Sequence, residues 1–481
     1  MRPWLSRSLI VAAAFAACWL GAVWYWRETR RMPGTDDLLI YLLLLPLLLL
    51  LLVWGASKLV AAAGAASAAA TAAAGAAADT ATQAAPAAPP AATLTVLAGA
   101  LRMPHGDSAA QLADALLSRK ANLALDPELL NDSGYPILSG RVDNVDIAAQ
   151  QDAMDEWLRA HHPGADFSDE QWRALALGSE VATDLAAELG GHPALPAYVD
   201  PASAGKPLPP LPALHVIALL PAEWADAQRA AAADWLRHLV ARYGWPAARL
   251  AAPLLAVHAQ APLPLIGQLA SQARQEEQPL LCLVLACGSR IGEASVQDWA
   301  DHGILFDSDH PQGRIPGEGA AGLLLADAAQ GVLFEDDRAP LMYPASGALR
   351  AASADAKSRG DINLLAELAA QAIATAGVDA ASIAMLAADS DQRVTRMTEL
   401  LAMASATLPE LDPGEQLLTV GAACGDAGAV STLAALVLAQ QQVRDGKGPA
   451  LCVTNLDPFH RGAVVLAATA DTAAPPETAT A

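Results

Sequence analysis

The sequence predicts an α/β protein, in which a layered body of strands and helices follows two membrane-spanning helices. Between Thr93 and residue 468, short apolar runs typical of buried strands alternate with amphipathic stretches typical of helices. Strands separated by helices indicate sheets buried between helical layers. The strand candidates are LTVLAGAL, HVIALL, LLCLVLAC, AGLLLADA, SIAMLAA, LLTVGAA, ALCVTNL and AVVLAA, and the helix candidates are 108–119, 168–188, 223–243, 363–377 and 429–443.

The front end, residues 1–60, is typical of a transmembrane hairpin. Residues 8–26 and 38–57 are both apolar over a length that crosses the hydrocarbon core of a bilayer. Five of the eleven tryptophans fall in these first sixty residues, as expected for an interfacial aromatic belt. The first run is too long and too aromatic for a cleaved signal peptide.

Charge divides unevenly along the chain. The net charge is −22, and residues 1–60 hold six basic and three acidic residues. This leaves 23 of the 29 basic and 48 of the 51 acidic residues to the rest, a balance of −25. Such a body repels nucleic acid and anionic lipid, so membrane attachment has to come from the hairpin.

Membrane orientation rests on weaker signals. The short loop between the two runs and the outer flanks carry nearly equal numbers of basic residues, so the positive-inside rule does not decide the orientation. The chain has five cysteines without regular spacing or a CxxC pair, which favours free thiols in a reducing compartment. We therefore expect a cytoplasmic body at the bacterial inner membrane.

Composition divides the chain into four segments. After the hairpin, residues 61–93 are rich in Ala and Pro and predict a linker. Residues 94–468 form the folded body, and residues 469–481 predict a disordered tail. The Pro-rich stretch 200–212 is either an internal boundary or a long surface loop.

Gly317, Gly319 and Gly322 have the G-x-G-x-x-G spacing of a dinucleotide-binding turn. That motif needs a strand before the first glycine and a helix after the last. Here a polar loop precedes the glycines and LLLA follows them, which predicts a strand. Glu318 would also bring a negative charge near a pyrophosphate, so the dinucleotide interpretation fails.

The same residues resemble a different family. PGEGAAGLLLADA resembles the Gly-Glu-Gly-Ala-Ala strand of the β-ketoacyl synthases, members of the thiolase superfamily, and FDSDHPQG resembles the loop before it. Five further segments resemble the family in the same order: LTVLAGALRMPHGDSAAQLADALLSRK, SGYPILSGRVDNVD, AIATAGVDAASIAML, VGAACGDAGAVSTLAALVLA and CVTNLDPFHRGAVVLA. The resemblance implies a thiolase-like α/β/α/β/α body that dimerises through a core strand.

Ketosynthases use a cysteine nucleophile and two histidines, and this sequence departs from all three. Gln260 falls nearest the place of the nucleophile, although a shift of two residues would put His258 there. Asp389 stands at the place of the first histidine, where a solvated loop is favoured over an acid–base role. Ala422 stands at the place of the second.

The glycine-rich loop that admits a pantetheine arm also differs, since it is replaced by Pro458, Phe459, His460 and Arg461. Bulky side chains here are expected to close the approach of a thioester. Cys282 and Cys287 lie on a predicted strand and are poor candidates for the nucleophile.

A second cluster could suggest a metal site: Asp301, His302, Asp307, Asp309 and His310. The resemblance already accounts for Asp307 and Asp309 as loop residues, so we predict neither a metal nor a cofactor. Ser108 is expected to cap a helix, and His161 to end one.

The sequence thus predicts a pseudoenzyme that works as a membrane-anchored adaptor or scaffold for a protein partner, accessory to a secretion system or its effector. The alternative is an inactive subunit like a chain-length factor, in which Gln stands at the nucleophile's place as Gln260 does here. Such a subunit pairs with an active ketosynthase in lipid or polyketide synthesis. A residual acyltransferase activity is left open.

Overall fold

The computed structural model describes residues 93–131, 133–143, 145, 147–200, 205–252, 262–356 and 363–469. The predicted hairpin, the linker up to residue 92 and the tail beyond residue 469 lie outside these ranges. Among the helices of the described residues, none combines the length and the apolarity needed to cross a bilayer.

Twelve strands form within the described residues. They are β1 (Leu94–Arg102), β2 (Ala124–Leu130), β3 (Pro136–Ser139), β4 (Leu214–Leu219), β5 (Leu281–Ser289), β6 (Glu318–Ala326), β7 (Leu341–Met342), β8 (Ser346–Leu349), β9 (Met385–Ala388), β10 (Leu417–Thr419), β11 (Ala450–Thr454) and β12 (His460–Ala467).

The helices of the described ranges are α1 (Ala109–Leu117), α2 (Ile147–His161), α3 (Asp169–Glu188), α4 (Pro196–Val199), α5 (Asp226–Arg242), α6 (Pro262–Gln275), α7 (Glu293–Asp301), α8 (Ala328–Gly331), α9 (Leu364–Ala376), α10 (Val394–Thr407), α11 (Pro413–Gln416), α12 (Val420–Cys424) and α13 (Ala429–Arg444).

Ten of the strands form one sheet in the order β10-β9-β11-β12-β7-β1-β6-β5-β4, with β8 also paired to β12, while β2 and β3 form a separate hairpin. The pairs β4–β5, β9–β10 and β9–β11 are parallel and the other pairs are antiparallel. The two-residue strand β7 pairs with both β1 and β12. It therefore joins two halves, β4-β5-β6-β1 and β12-β11-β9-β10.

The two halves enclose a central helical layer. Helix α13 is buried nearly all round and contributes, with residues of both halves, to one apolar core. Helices α3 and α5 pack on the outer face of the first half in a second core, and α9 and α10 pack on the second half in a third. The result is five layers in the order α/β/α/β/α, which confirms the predicted fold class.

Local sequence explains where several helices begin and end. Ser168 and Gln171 form a capping box at the start of α3, and Ser108 accepts a hydrogen bond from the Gln111 amide at the start of α1. Helix α2 ends at His161. The cap expected at Ser108 and the helix end expected at His161 are thus confirmed.

The glycines of the G-x-G-x-x-G spacing lie in or next to the buried strand β6, which pairs with β1 and β5. A Cβ on Gly322 would lie 2.8 Å from Leu185 Cδ1, and one on Gly319 would lie 2.6 Å from Met103 Sδ. The spacing therefore serves close packing of a strand. Glu318 is fully buried and binds Arg173, with 2.9 Å between Nε and Oε2.

The structure departs from the predicted elements in a few places. LLTVGAA forms strand β10 for three residues and then turns into the short helix α12. Helices α2, α7 and α10 were not among the helix candidates. Strand β4, which follows the Pro-rich stretch 200–212 in sequence, lies in the same sheet as β1, so the strands on either side of this stretch belong to one folded body.

Candidate functional site

The structure brings together two of the three predicted catalytic positions. Asp389 directly follows β9, and Ala422 lies in α12, which follows the neighbouring strand β10. The Ala422 amide donates to the Ser390 carbonyl oxygen at 2.9 Å. A Cβ on Gly421 would lie 2.5 Å from the Asp389 carbonyl oxygen, so glycine at 421 permits this contact.

Asp389 is buried, with 3% of its surface exposed, so the expectation of a solvated loop is wrong. Its carboxylate accepts hydrogen bonds from the amides of Asn455 at 2.8 Å and Leu456 at 3.1 Å, and from the Thr432 hydroxyl at 2.9 Å. Burial raises the pKa of Asp389 to about 6, although these hydrogen bonds and Arg461 act in the opposite direction.

A cavity of about 320 Å³ opens beside Asp389. Its polar lining residues are Arg290, Arg314, Asp389, Asp426, Thr432, Thr454, Asp457 and His460. The cavity therefore combines two guanidinium groups with several carboxyl and hydroxyl groups, a more polar lining than a simple acyl pocket needs.

The charges on the cavity wall are mostly paired. Arg290 binds Glu223 at 2.6 Å, and Arg314 lies 3.4 Å from Asp426. Burial acts to raise the pKa of Asp426, but Arg290, Arg314 and the Gly428 amide together lower it. The carboxyl group of Asp426 is therefore ionised at neutral pH, whereas the pKa of Asp389, about 6, lies only slightly below neutral pH.

Thr454 differs from the other polar lining residues in the state of its hydroxyl group. It is only 4% exposed, and its hydroxyl has no hydrogen-bond partner among the described residues. A buried hydroxyl without a partner costs free energy, and most such groups in proteins are satisfied. The Thr454 hydroxyl is therefore a buried polar group without a partner in a residue that lines the cavity.

The bulky side chains that replace the glycine-rich loop do not all enter the cavity. The Arg461 Nε atom lies 3.0 Å from both carboxylate oxygens of Glu399, and the side chain is fully buried. His460 lines the cavity and burial lowers its pKa, while Phe459 is 47% exposed. Arg461 is therefore not part of the cavity lining, because Glu399 binds its side chain, whereas Pro458 and His460 are part of it.

The third predicted position, Gln260, and its alternative His258 lie outside the described residues. The next described residue, Pro262, lines the cavity. The four described cysteines, Cys282, Cys287, Cys424 and Cys452, are buried, and burial raises the pKa of each thiol. None of these four lines the cavity.

The residues of the candidate metal cluster lie at the end of α7 and in the loop that follows it. His310 Nδ1 lies 3.1 Å from Asp307 Oδ1, and Asp307 also accepts from the amides of Asp309 and His310. Among the described residues, no group of three His, Cys, Asp or Glu side chains could hold a metal ion.

Solved structures with a similar backbone include ketosynthases. A ketosynthase from module 6 of the bacillaene synthase of Bacillus subtilis 168 matches with 13% identity and a TM-score of 0.53, covering 80% of this chain and 73% of its own. The oxazolomycin ketosynthase domain of Streptomyces albus JA3453 matches with 14% identity and a TM-score of 0.53, covering 80% and 76%. The fold is that of the ketosynthases.

A weaker match is the ishigamide ketosynthase/chain length factor, at 14% identity and a TM-score of 0.48, covering 78% of this chain and 99% of that chain. No protein-family model and no curated protein matches the sequence. The likeness to ketosynthases therefore concerns the backbone.

Sequence reasoning missed six polar residues of the cavity: Arg290, Arg314, Asp426, Thr432, Thr454 and Asp457. Thr454 carried a usable signal, because it is a polar residue that ends the apolar run of β11. Asp426 lies in a Gly-rich turn before α13 and also had a local signal. The local sequence around Arg290 and Arg314 gave no signal of a site, since only the folded chain brings these two residues to the cavity.

Proposed function

We propose that this chain is a non-condensing protein with the ketosynthase fold, whose function is to bind a partner rather than to form carbon–carbon bonds. One observation carries the proposal. At the place where the resemblance puts two histidines, the chain has the buried acid Asp389 and the methyl side chain of Ala422.

Neither side chain can do the work of a histidine at this place. A condensing site needs donors directed at the oxyanion that develops during the reaction. Above about pH 6 the carboxyl group of Asp389 is mostly ionised and repels such a charge. Ala422 has no proton to donate, and its amide is already bound to Ser390.

The proposed setting is the bacterial inner membrane. The two apolar runs at 8–26 and 38–57 would anchor the chain, with the body in the cytoplasm. The partner would be a protein client, and an accessory role in a secretion system or for its effector fits a tethered binding protein. The residues after the hairpin carry a balance of −25 charges, which disfavours acidic partners such as acyl carrier proteins.

The test uses the full-length protein solubilised in detergent. Mild crosslinking, affinity purification and mass spectrometry identify its partners. In parallel, the protein is incubated with an acyl-pantetheine thioester and its intact mass is measured, with an active ketosynthase as the control. We expect secretion or effector proteins among the partners and no acyl adduct. A covalent acyl adduct, or condensation product, would refute the proposal.

A second candidate is an inactive subunit that pairs with an active ketosynthase. The observation in its favour is the cavity of about 320 Å³, which Arg461 leaves open because it is bound to Glu399. Recovery of an active ketosynthase or a carrier protein in the same purification would favour this candidate over the adaptor.

A further inference from the structure

The cavity beside Asp389 takes its lining from both halves of the sheet, and the two halves supply opposite charges. From the first half come Arg290, which directly follows β5, and Arg314, which lies in the loop before β6. From the second half come Asp389, which directly follows β9, and Asp457, which lies between β11 and β12. The lining thus has a guanidinium wall from one half and a carboxyl wall from the other.

The guanidinium wall retains unused donors. Arg290 Nη1 binds Glu223 at 2.6 Å, and Arg314 Nη1 lies 3.4 Å from Asp426 Oδ2, which is long for a charge-assisted hydrogen bond. The Nε and Nη2 atoms of both arginines donate no hydrogen bond to the described residues. Nη2 of Arg290 lies 3.8 Å from the Cβ position of Gly428, which lines the cavity. Since a guanidinium has five N–H donors, this wall can bind a carboxylate in addition to its present partners.

The carboxyl wall retains unused acceptors. Asp457 Oδ1 accepts from the amides of Phe459 and His460, each at 2.7 Å, whereas Oδ2 accepts from no described residue. Asp457 is exposed, so solvent and ligands can reach its carboxylate. Asp389 Oδ2 accepts only from the Thr432 hydroxyl among the described residues. Because each carboxylate oxygen has two lone pairs, this wall can bind an ammonium group, which has three donors.

The rest of the lining suits a small molecule with an aliphatic part. Thr454 is 4% exposed and its hydroxyl has no partner among the described residues. The volume of about 320 Å³ lies at the lower end of the range of small-molecule sites, roughly 300 to 1,000 Å³. The apolar side chains of the lining are Pro262, Ala429, Leu456 and Pro458.

We propose that this cavity binds a zwitterion of the size of a free α-amino acid. The carboxylate of the ligand binds Arg290 and Arg314. Its ammonium group binds Asp457 and the Oδ2 atom of Asp389. A simple anion would bring its charge close to the carboxyl groups of the lining, and a simple cation close to the guanidinium groups, whereas a zwitterion presents the opposite charge to each wall. This ligand site goes beyond partner binding and does not depend on the identity of the partner.

Thermal unfolding of the full-length protein in detergent, followed by tryptophan fluorescence, provides the first test. Because the ligand bridges the two halves, it should bind the native state alone. At about 100 times its dissociation constant, such a ligand raises the unfolding midpoint of a body of this size by about 3 °C. With each proteinogenic L-amino acid added in turn at about 10 mM, we expect a shift of this order for at least one. No shift with any amino acid would overturn the proposal.

Calorimetric titration with the amino acid that gives the largest shift then tests both charges. Its N-acetyl derivative lacks the ammonium group, and its amide derivative lacks the carboxylate. We expect each derivative to bind at least about tenfold more weakly than the parent amino acid. An undiminished affinity of either derivative would refute the zwitterion. No partner protein is present in these assays, so their outcome is separate from that of the partner purification.

Two variants assign the walls. Arg314→Gln should weaken binding of the parent about tenfold and abolish the discrimination between the parent and its amide. Asp457→Asn keeps an oxygen for the two amides of its turn, and it should abolish the discrimination between the parent and its N-acetyl derivative. The matched controls, Arg338→Gln and Asp337→Asn, replace exposed residues outside the cavity lining and should leave all three affinities unchanged. Wild-type discrimination in Arg314→Gln or Asp457→Asn would overturn the assignment.

Discussion

Replacement of Asp389 by Asn should change the pH dependence of stability in a defined direction. The pKa of Asp389 rises from 3.8 to about 6 on folding, because burial disfavours the ionised form. The native state therefore binds the proton more tightly than the unfolded state does. Wild-type stability should fall as pH rises through this window and stay lowered above it.

The size of the effect follows from the shift. At about 1.4 kcal/mol for each pKa unit, the ionised carboxyl costs the native state about 3 kcal/mol above pH 6. The asparagine of the D389N variant would keep an oxygen for the amides of Asn455 and Leu456, and the Thr432 hydroxyl can turn to accept from its NH₂ group. The stability of D389N relative to the wild type should thus increase with pH.

Equilibrium urea unfolding of the full-length protein in detergent, followed by tryptophan fluorescence, measures this difference. About 2 kcal/mol of the change should fall between roughly pH 4.5 and 7.5. Asp426→Asn is the matched control, since the pKa of Asp426 is lowered on folding. Its contribution is present above the unfolded pKa, so D426N should be less stable than the wild type by a constant amount above about pH 5.5. A D389N difference that is flat, or that shrinks as pH rises, would refute the reasoning.

Three further predictions concern unfolding midpoints near neutral pH. Glu318→Gln leaves the mostly buried Arg173 without its ionic partner and should lower the free energy of unfolding by about 3 to 5 kcal/mol. The double variant, Glu318→Gln with Arg173→Met, should recover part of this loss. If the single and double variants lost the same stability, the result would contradict the pairing. Gly322→Ala places a Cβ 2.8 Å from Leu185 Cδ1 and should cost about 1 to 3 kcal/mol, whereas Gly190→Ala, with nothing within 4 Å, should be neutral or slightly stabilising. Equal effects of the two alanines would argue against close packing at β6. Ser168→Ala removes the capping box of α3 and should cost about 1 kcal/mol, and an unchanged midpoint would show that the cap does not contribute.

The sequence by itself determined the class of fold and the order of most elements. Apolar runs and helical periodicity are local properties, so β1, β4, β5 and β6 and helices α3, α5, α9 and α13 could be predicted from short windows. The ordered resemblance to ketosynthase segments added the five-layer arrangement. The structure then shows that Ala422 lies beside Asp389, because its amide donates to the carbonyl oxygen of Ser390.

Only the tertiary structure decided the environment of these residues. Asp389 looked solvated because polar neighbours surround it in the sequence, yet Asn455 and Thr432, 66 and 43 residues away, bury its carboxylate. Arg461 looked like an obstruction because Glu399, 62 residues earlier, could not be identified as its partner. Burial, ion pairing and the pKa of a buried acid depend on groups that are distant in the chain. No local pattern records which of those groups will meet, and so the fold was predictable from the sequence while the character of the cavity was not.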